Sequence, residues 1–252
     1  DDPATEREVR HYDDMVGRRT AGEPLQYVLG RWGFRTLDLL VDHRVLIPRP
    51  ETEGVVEHAL DAIGNLDRSA VVVDLGTGSG AIALSLAAER WPHVEVWATD
   101  VSADALAVAR ANLAGLGRRS SVVRVVEGDW YAALPDDLRG RVDVIISNPP
   151  YVAATDALPT EVADWEPTSA LVPGPSGLED IEVIVAGAME WLTADGTLVV
   201  EIGEGQGEAT VALAAAAGFA HAAVRPDLAG RPRALVAQRT IRAVPNTGPI
   251  PR

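Results

Sequence analysis

The chain has 252 residues, no cysteine and a formal net charge of -15. The length suits one large α/β domain with a small appendage. Lack of cysteine excludes disulfides and thiolate metal sites, the five histidines (His11, His43, His58, His93, His221) show no metal-type spacing, and the acidic balance argues against a general nucleic-acid binder, whose affinity rests on neutralising phosphates.

Ala4 to Arg19 reads as a polar, charged helix. Gly33 to Ile47 alternates weakly and predicts a β-hairpin. Glu51 to Ile63 predicts a helix. Strand and helix then alternate, with strands at 71–75, 94–99, 122–126, 142–147, 197–202, 221–225 and 234–239. Helices are expected near 80–90, 103–116, 178–193 and 206–217. Such alternation implies an α/β fold, a mainly parallel seven-stranded sheet with helices on both faces. The last two strands, joined by Pro226 to Pro232, are expected to pair as an antiparallel hairpin. Ala153 to Pro175 lacks periodicity, and a loop of that length is usually functional or mobile. Val244 to Arg252 carries three prolines and reads as a loose tail. The expected division is 1–50 for a short N-terminal helix and hairpin, 51–243 for the catalytic domain and 244–252 for a flexible tail. No apolar run reaches membrane length and no signal peptide is legible, so a cytoplasmic location is expected; a monomer is expected as well.

Four strand ends carry the chemistry. After Val142–Ile146 comes Ser147-Asn148-Pro149-Pro150-Tyr151. Two prolines stop the ladder and stiffen the turn. The Asn148 carboxamide and the Pro149 carbonyl offer two acceptors, and Tyr151 a flat face. Together they suit a planar –NH2 group. Alone, an Asn-Pro step is usually a turn. After Val71–Val73 comes Asp74-Leu75-Gly76-Thr77-Gly78-Ser79-Gly80, a glycine-rich turn into a helix. Its G-x-G-x-G spacing differs from the dinucleotide fingerprint, and alone it fits either a nucleoside site or a tight turn. Asp100 ends the next strand, 20 residues after Gly80. It can accept from both hydroxyls of a ribose, or cap the helix from about Ala103, a role Ser102 could also fill. Gly128-Asp129-Trp130 follows the third strand. An acid and an indole suit an adenine edge and face, although Trp130 could be core. In open α/β sheets, ligands bind at this carboxyl edge.

With these motifs, the chain resembles the class I methyltransferases that use S-adenosylmethionine, and more narrowly the HemK/PrmC family of protein-glutamine amide methyltransferases. The likeness runs from about Gly22 to Gln238. Four blocks carry it: Gly22 to Gly30 (GEPLQYVLG), Val45 to Glu53 (VLIPRPETE), DLGTGSG and SNPPYV. Weaker echoes are Glu166-Pro167 with Ala170-Leu171, Ser176-Gly177-Leu178, and Glu201-Ile202-Gly203 with Gln206. The resemblance implies a Rossmann-like fold with an antiparallel last strand. It implies that Gly76, Thr77, Gly78, Ser79 and Gly80 line the methionine part of S-adenosylmethionine, that Asp100 holds the ribose, and that Trp130, with Asp129, holds the adenine. Asn148, Pro149, Pro150 and Tyr151 would hold the substrate glutamine, with Asn148 also beside the cofactor. The implied substrate is a class I peptide chain release factor, at the glutamine of its Gly-Gly-Gln motif. The implied reaction is direct methyl transfer without a metal, in which the acceptors on the amide hydrogens raise electron density on the nitrogen.

Two departures bear on the substrate. Family members carry a longer helical N-terminal docking domain than the 21 residues that precede Gly22 here, so that domain is expected to be reduced or trimmed. The residue before the aromatic Phe34 is Gly33, where the family often has an acid. The alternatives are methylation of a ribosomal-protein glutamine or a nucleobase amino group, a nicotinamide oxidoreductase, and a non-catalytic cofactor-binding module.

Overall fold

The computed structural model describes residues 4–64 and 66–240; the expected tail at 244–252 lies outside the described residues. Helix α1 (Glu6–Thr20) starts at a reciprocal cap. Thr5 Oγ1 accepts from the Glu8 N–H (3.3 Å) while Glu8 Oε2 accepts from the Thr5 N–H (2.7 Å), which satisfies two otherwise orphan donors. The helix buries no residue. Its last turn is held by Arg18, which pairs with Glu23 and donates to the Tyr27 carbonyl at 3.0 Å. Helix α2 (Leu25–Leu29) follows. Five residues are too few to show a helical period, so periodicity did not mark it.

The hairpin differs from expectation. It pairs β1 (Arg31–Phe34) with β2 (Leu37–Leu40) and stops well short of Ile47. Tertiary contacts decide this. Arg35 turns the chain at φ 52°, and its guanidinium bonds Glu89 (2.6 and 2.8 Å) and Glu57 (2.7 Å). Past Leu40, the side chains of Val41, Val45 and Ile47 bury against Tyr27, Ala105 and Val108 instead of extending a ladder.

The remaining elements are α3 (Pro50–Gly64), β3 (Ala70–Leu75), α4 (Ala81–Arg90), β4 (Val94–Asp100), α5 (Ala103–Ala114), β5 (Val123–Glu127), β6 (Val142–Ser147), α6 (Thr160–Ala163), α7 (Glu179–Trp191), β7 (Leu192–Glu201), α8 (Gly207–Ala216), β8 (His221–Pro226) and β9 (Pro232–Gln238). Seven strands form one sheet in the order β5-β4-β3-β6-β7-β9-β8. β5 to β7 are parallel along it, and β9 runs antiparallel to both neighbours, β7 and β8. The expected terminal hairpin is present, with β9 inserted between β7 and β8. β7 begins at Leu192 rather than near 197, but its regular ladder with β6 runs only from Thr197, after an irregularity.

Successive strand residues feed opposite cores. Val72, Val144, Ile146 and Val199 pack with α3 and α4. Val73, Ile145, Leu198 and Val200 pack with α7 and α8. Coverage of both faces explains why these strands read as near-continuous apolar runs. Among the described residues, no helix is long and apolar enough to cross a membrane.

The segment 153–175 closes on itself. Ala153 bridges Gly174, and the Val152 and Ala154 N–H groups donate to the Leu171 and Gly174 carbonyls (both 3.0 Å). Buried Glu166 fastens this segment to the stretch after the hairpin. Its Oε2 accepts from the Ile47 N–H (3.1 Å) and its Oε1 from Arg49 Nη2 (2.5 Å). Glu166→Ala leaves a buried N–H unpaired and is expected to destabilise by about 1–3 kcal/mol. Urea melts check the size, and limited proteolysis should show earlier cleavage within 153–175 than in wild type.

Candidate active site

The carboxyl ends of β3, β4, β5 and β6 converge on a cavity of about 290 Å³. It opens where the sheet order reverses between β3 and β6, the place where open α/β sheets bind ligands. Of the residues marked from sequence, Gly76, Thr77, Gly78, Ser79, Asp100, Asp129, Trp130, Asn148 and Pro150 line it. Gly80, Pro149 and Tyr151 do not.

The glycine loop owes its residues to the backbone and to Trp130. A Cβ on Gly76 would sit 3.3 Å from the Trp130 ring, at a φ of +71°. Gly80 starts α4 at φ +87°, and a Cβ there would meet Leu84 at 3.0 Å. That packing, rather than the cavity, accounts for Gly80. Trp130 itself holds a φ of 42°. A bulky residue in that region is strained, and such strain persists only where its surroundings over-determine it. Asn112, buried on α5, ties the loop to the hairpin. Its Nδ2 donates to the carbonyls of Ser79 (2.8 Å) and Leu40 (3.0 Å), and its Oδ1 accepts from the Leu40 N–H (2.7 Å).

Asp100 is not the cap of α5. Ser102 is, accepting from the Ala105 N–H at 3.2 Å. Asp100 instead takes the Gly78 N–H on Oδ2 and the Ser102 N–H on Oδ1, both at 2.9 Å. Burial pushes its carboxyl above the usual range, and those backbone bonds oppose the shift. Each carboxylate oxygen has a second lone pair, so the group remains an acceptor at the cavity wall.

Asp74, at the head of the glycine loop, is fully buried. Its Oδ2 accepts from Thr77 Oγ1 (2.6 Å) and the Ala83 N–H (3.1 Å), while Oδ1 has no partner. Burial pushes its pKa from 3.8 up to about 7. A carboxyl with a raised folded pKa binds its proton more tightly when folded. Stability from it is therefore fully present below pH 3.8 and lost as pH rises to about 7. Asp74→Asn stays neutral throughout. Its melting temperature relative to wild type should rise across this window, following a free-energy gap on the order of 1.4 kcal/mol per pH unit. A difference that is flat with pH would show that Asp74 keeps an ordinary pKa.

Asn148 belongs to a relay of side chains. Its Nδ2 donates to Thr52 Oγ1 (3.2 Å), and Thr52 Oγ1 donates to Glu201 Oε2 (2.6 Å). The Tyr151 hydroxyl donates to Glu201 Oε1 (3.2 Å), and Arg233 Nη1 reaches that hydroxyl at 3.4 Å. Burial pushes the Glu201 carboxyl up, opposed by Thr52, Arg233 and Tyr151, while nearby Glu51 adds to the rise. The Tyr151 hydroxyl is thus engaged within the protein. A buried carboxylate at the end of β7 needs donors, so the phenol turns toward Glu201 and the ring packs with the α7–α8 core, off the cavity wall. Asn148 Oδ1 and the Pro149 carbonyl take no hydrogen bond from the described residues.

Gln206 clamps the Pro-Pro turn from behind. Its Nε2 donates to the carbonyls of Tyr151 (2.9 Å) and Gly177 (3.0 Å), and its Oε1 accepts from the Gly203 N–H (2.8 Å). Sequence reasoning gave no role to Gln206, Glu201, Thr52, Asn112 or Glu166. Thr52 lay inside one of the blocks that carried the family likeness, and Glu166, Glu201 and Gln206 lay among its weaker echoes. Asn112 lay outside them and had no signal. Sequence reasoning also missed several lining residues: Arg44, Val45, Leu46 and Pro48 from the stretch after the hairpin, Pro167, Ser169 and Ala170 from the 153–175 segment, and Asp180.

Comparison with known proteins agrees with this architecture. Residues 58–164 match the model of the methyltransferase small domain, and residues 1–30 that of the PrmC N-terminal domain. The chain is similar to a methyltransferase from Pyrococcus furiosus at 18% identity and a TM-score of 0.56, over 91% of this chain and all of that one. It is similar to the hMettl16 catalytic domain, solved with a MAT2A 3'UTR hairpin, at 19% identity and a TM-score of 0.62, over 86% and 79% of the two chains. These likenesses establish the class I methyltransferase fold. In sequence, it is 44% identical over 237 residues to the release factor glutamine methyltransferase of Xylella fastidiosa (strain 9a5c), spanning 94% of this chain and 84% of the relative. It is 42% identical over 234 residues to that of Streptomyces coelicolor, spanning 91% and 81%. With that identity over most of both chains, this chain belongs to the family of release factor glutamine methyltransferases.

Proposed function

We propose that the chain transfers a methyl group from S-adenosylmethionine to the side-chain amide nitrogen of a glutamine in a class I peptide chain release factor, at its Gly-Gly-Gln motif. The observation that carries this is Asn148, which lines the cavity with its –NH2 committed to Thr52 and its carbonyl oxygen uncommitted. An uncommitted carboxamide oxygen beside the Pro149 carbonyl suits a second carboxamide presenting its two hydrogens.

The cavity's donor set fits the cofactor. A carboxylate with free lone pairs, Asp100, suits a ribose diol. Trp130 beside Asp129 suits adenine, and the bare Gly76–Gly78 backbone leaves room for the methionine end. When bound, S-adenosylmethionine supplies an electrophilic methyl carbon on a sulfonium. The protein's part is positional and electrostatic. Asn148 Oδ1 and the Pro149 carbonyl accept the two amide hydrogens, fix the plane of the group and raise electron density on a nitrogen whose lone pair is otherwise delocalised. Orientation of this kind is worth roughly 7–11 kcal/mol in favourable cases. The surplus proton leaves to solvent after transfer. The 153–175 segment, whose Pro167, Ser169 and Ala170 line the cavity, excludes water from the donor. Residues 51–243 are the catalytic domain in this reading, and Arg44, Val45, Leu46 and Pro48 from the preceding stretch complete the cavity wall.

The test is incubation with S-adenosylmethionine labelled at the methyl group, a purified class I release factor and its Gly-Gly-Ala variant. Label on the wild-type factor, mapped to the glutamine and absent from the variant, supports the reading. Label on nucleic acid alone, or on another residue, defeats it.

A further inference from the structure

We propose that Thr52 is a positioning residue for Asn148: its hydroxyl, with the proton committed to Glu201, dictates which end of the Asn148 carboxamide is left for the substrate. This rests on the glutamine-amide reading above and names residues that set its geometry.

A threonine hydroxyl has one proton and two lone pairs. Both Glu201 oxygens act as acceptors here, one of the Thr52 hydroxyl at 2.6 Å and the other of the Tyr151 hydroxyl at 3.2 Å. The Thr52 proton is therefore taken. Toward Asn148 the same oxygen can offer only a lone pair, and it receives Nδ2 at 3.2 Å. The opposite amide orientation would set Oδ1 against that lone pair. It would also turn the Asn148 –NH2 toward a substrate that itself presents an –NH2, donor against donor. A side-chain amide is nearly symmetric in shape, so packing alone does not choose between the two orientations. The direction of the hydroxyl does. Thr52 is only 3% exposed and Glu201 1%, so water cannot readily replace either partner. This gives a chemical reason for threonine within the Pro-Glu-Thr-Glu run at the start of α3, and for an acid at the buried end of β7.

The experiment compares wild type with Thr52→Ser, Thr52→Ala and Thr52→Val. It measures kcat and KM on a release factor, S-adenosylmethionine affinity by calorimetry, and thermal melting. Valine keeps the shape and loses the hydroxyl. Alanine and serine lose the same methyl and differ only in the hydroxyl, which keeps the comparison valid should valine not be accommodated. The expected result is a kcat lowered roughly 10- to 100-fold in the alanine and valine variants. Serine should stay within about threefold of wild type, and cofactor affinity should be unchanged in all variants. Equal losses in serine and alanine would assign Thr52 to packing and overturn the inference. So would hydroxyl-free variants as fast as wild type, or a loss traced wholly to weaker cofactor binding. A wild-type protein that methylates no release factor takes the substrate reading down along with this one. A wild-type protein that does, with fast hydroxyl-free variants, overturns the positioning role alone.

Discussion

Asn148→Ala is expected to lower turnover by about 10²–10³ while leaving S-adenosylmethionine affinity within a few-fold of wild type. The size follows from removing one preorganised partner of the reacting group. The selectivity follows from the geometry, since Asn148 hangs on Thr52 and Glu201 rather than on the glycine loop. Asn148→Asp sharpens the test. It keeps an acceptor oxygen, yet the Nδ2 donor to Thr52 is gone. A carboxylate oxygen then faces the Thr52 lone pair, with a second buried carboxylate, Glu201, just beyond. Aspartate should therefore be as poor as alanine. Single-turnover rates at saturating cofactor, with affinity measured separately, check both variants. If both turn over like wild type, the Pro-Pro turn is merely the end of a strand.

Asp100→Ala is expected to weaken S-adenosylmethionine binding at least tenfold, since losing a hydrogen bond to a charged group costs on the order of 1.5–3 kcal/mol. Asp100 also bridges the Gly78 and Ser102 amides, so a structural contribution must be separated from a direct one. Asp100→Asn retains an oxygen for one amide and removes the charge. Calorimetry beside thermal melts distinguishes the two. A direct role predicts weak binding at near-normal melting in the asparagine variant. Unchanged affinity in both variants would leave Asp100 as a staple of the glycine loop and nothing more.

Much of the sheet was legible because its strands are buried on both faces. Val142 to Ser147 and Ala70 to Leu75 are apolar almost without break, and the turn chemistry after them is unambiguous. The hairpin was not. Its register is decided by Arg35 meeting Glu57 and Glu89, partners that local alternation cannot reveal. The partner of the Tyr151 hydroxyl was hidden for a similar reason, since Glu201 lies 50 positions on. An acid closing an otherwise apolar strand, as Glu201 does at β7, was itself a usable signal: a buried carboxylate must have partners. Asn112 within α5 and Gln206 just ahead of α8 gave no such warning, because a carboxamide in a helix or at its start is ordinarily a surface residue.

The relay behind Asn148 joins three distant stretches of chain. Thr52 lies 96 positions from Asn148 and 149 from Glu201, and the adjoining β3–β6 ladder sets Val72 beside Val144. Closing loops of that length costs entropy before any contact repays it. Parallel pairings between remote segments are accordingly slow to form. During folding, helices and local turns are thus expected to form ahead of the catalytic geometry. Asn148 acquires its orientation only when the first third of the chain, the middle and the β7 end have all docked, which makes activity a late reporter of the native state.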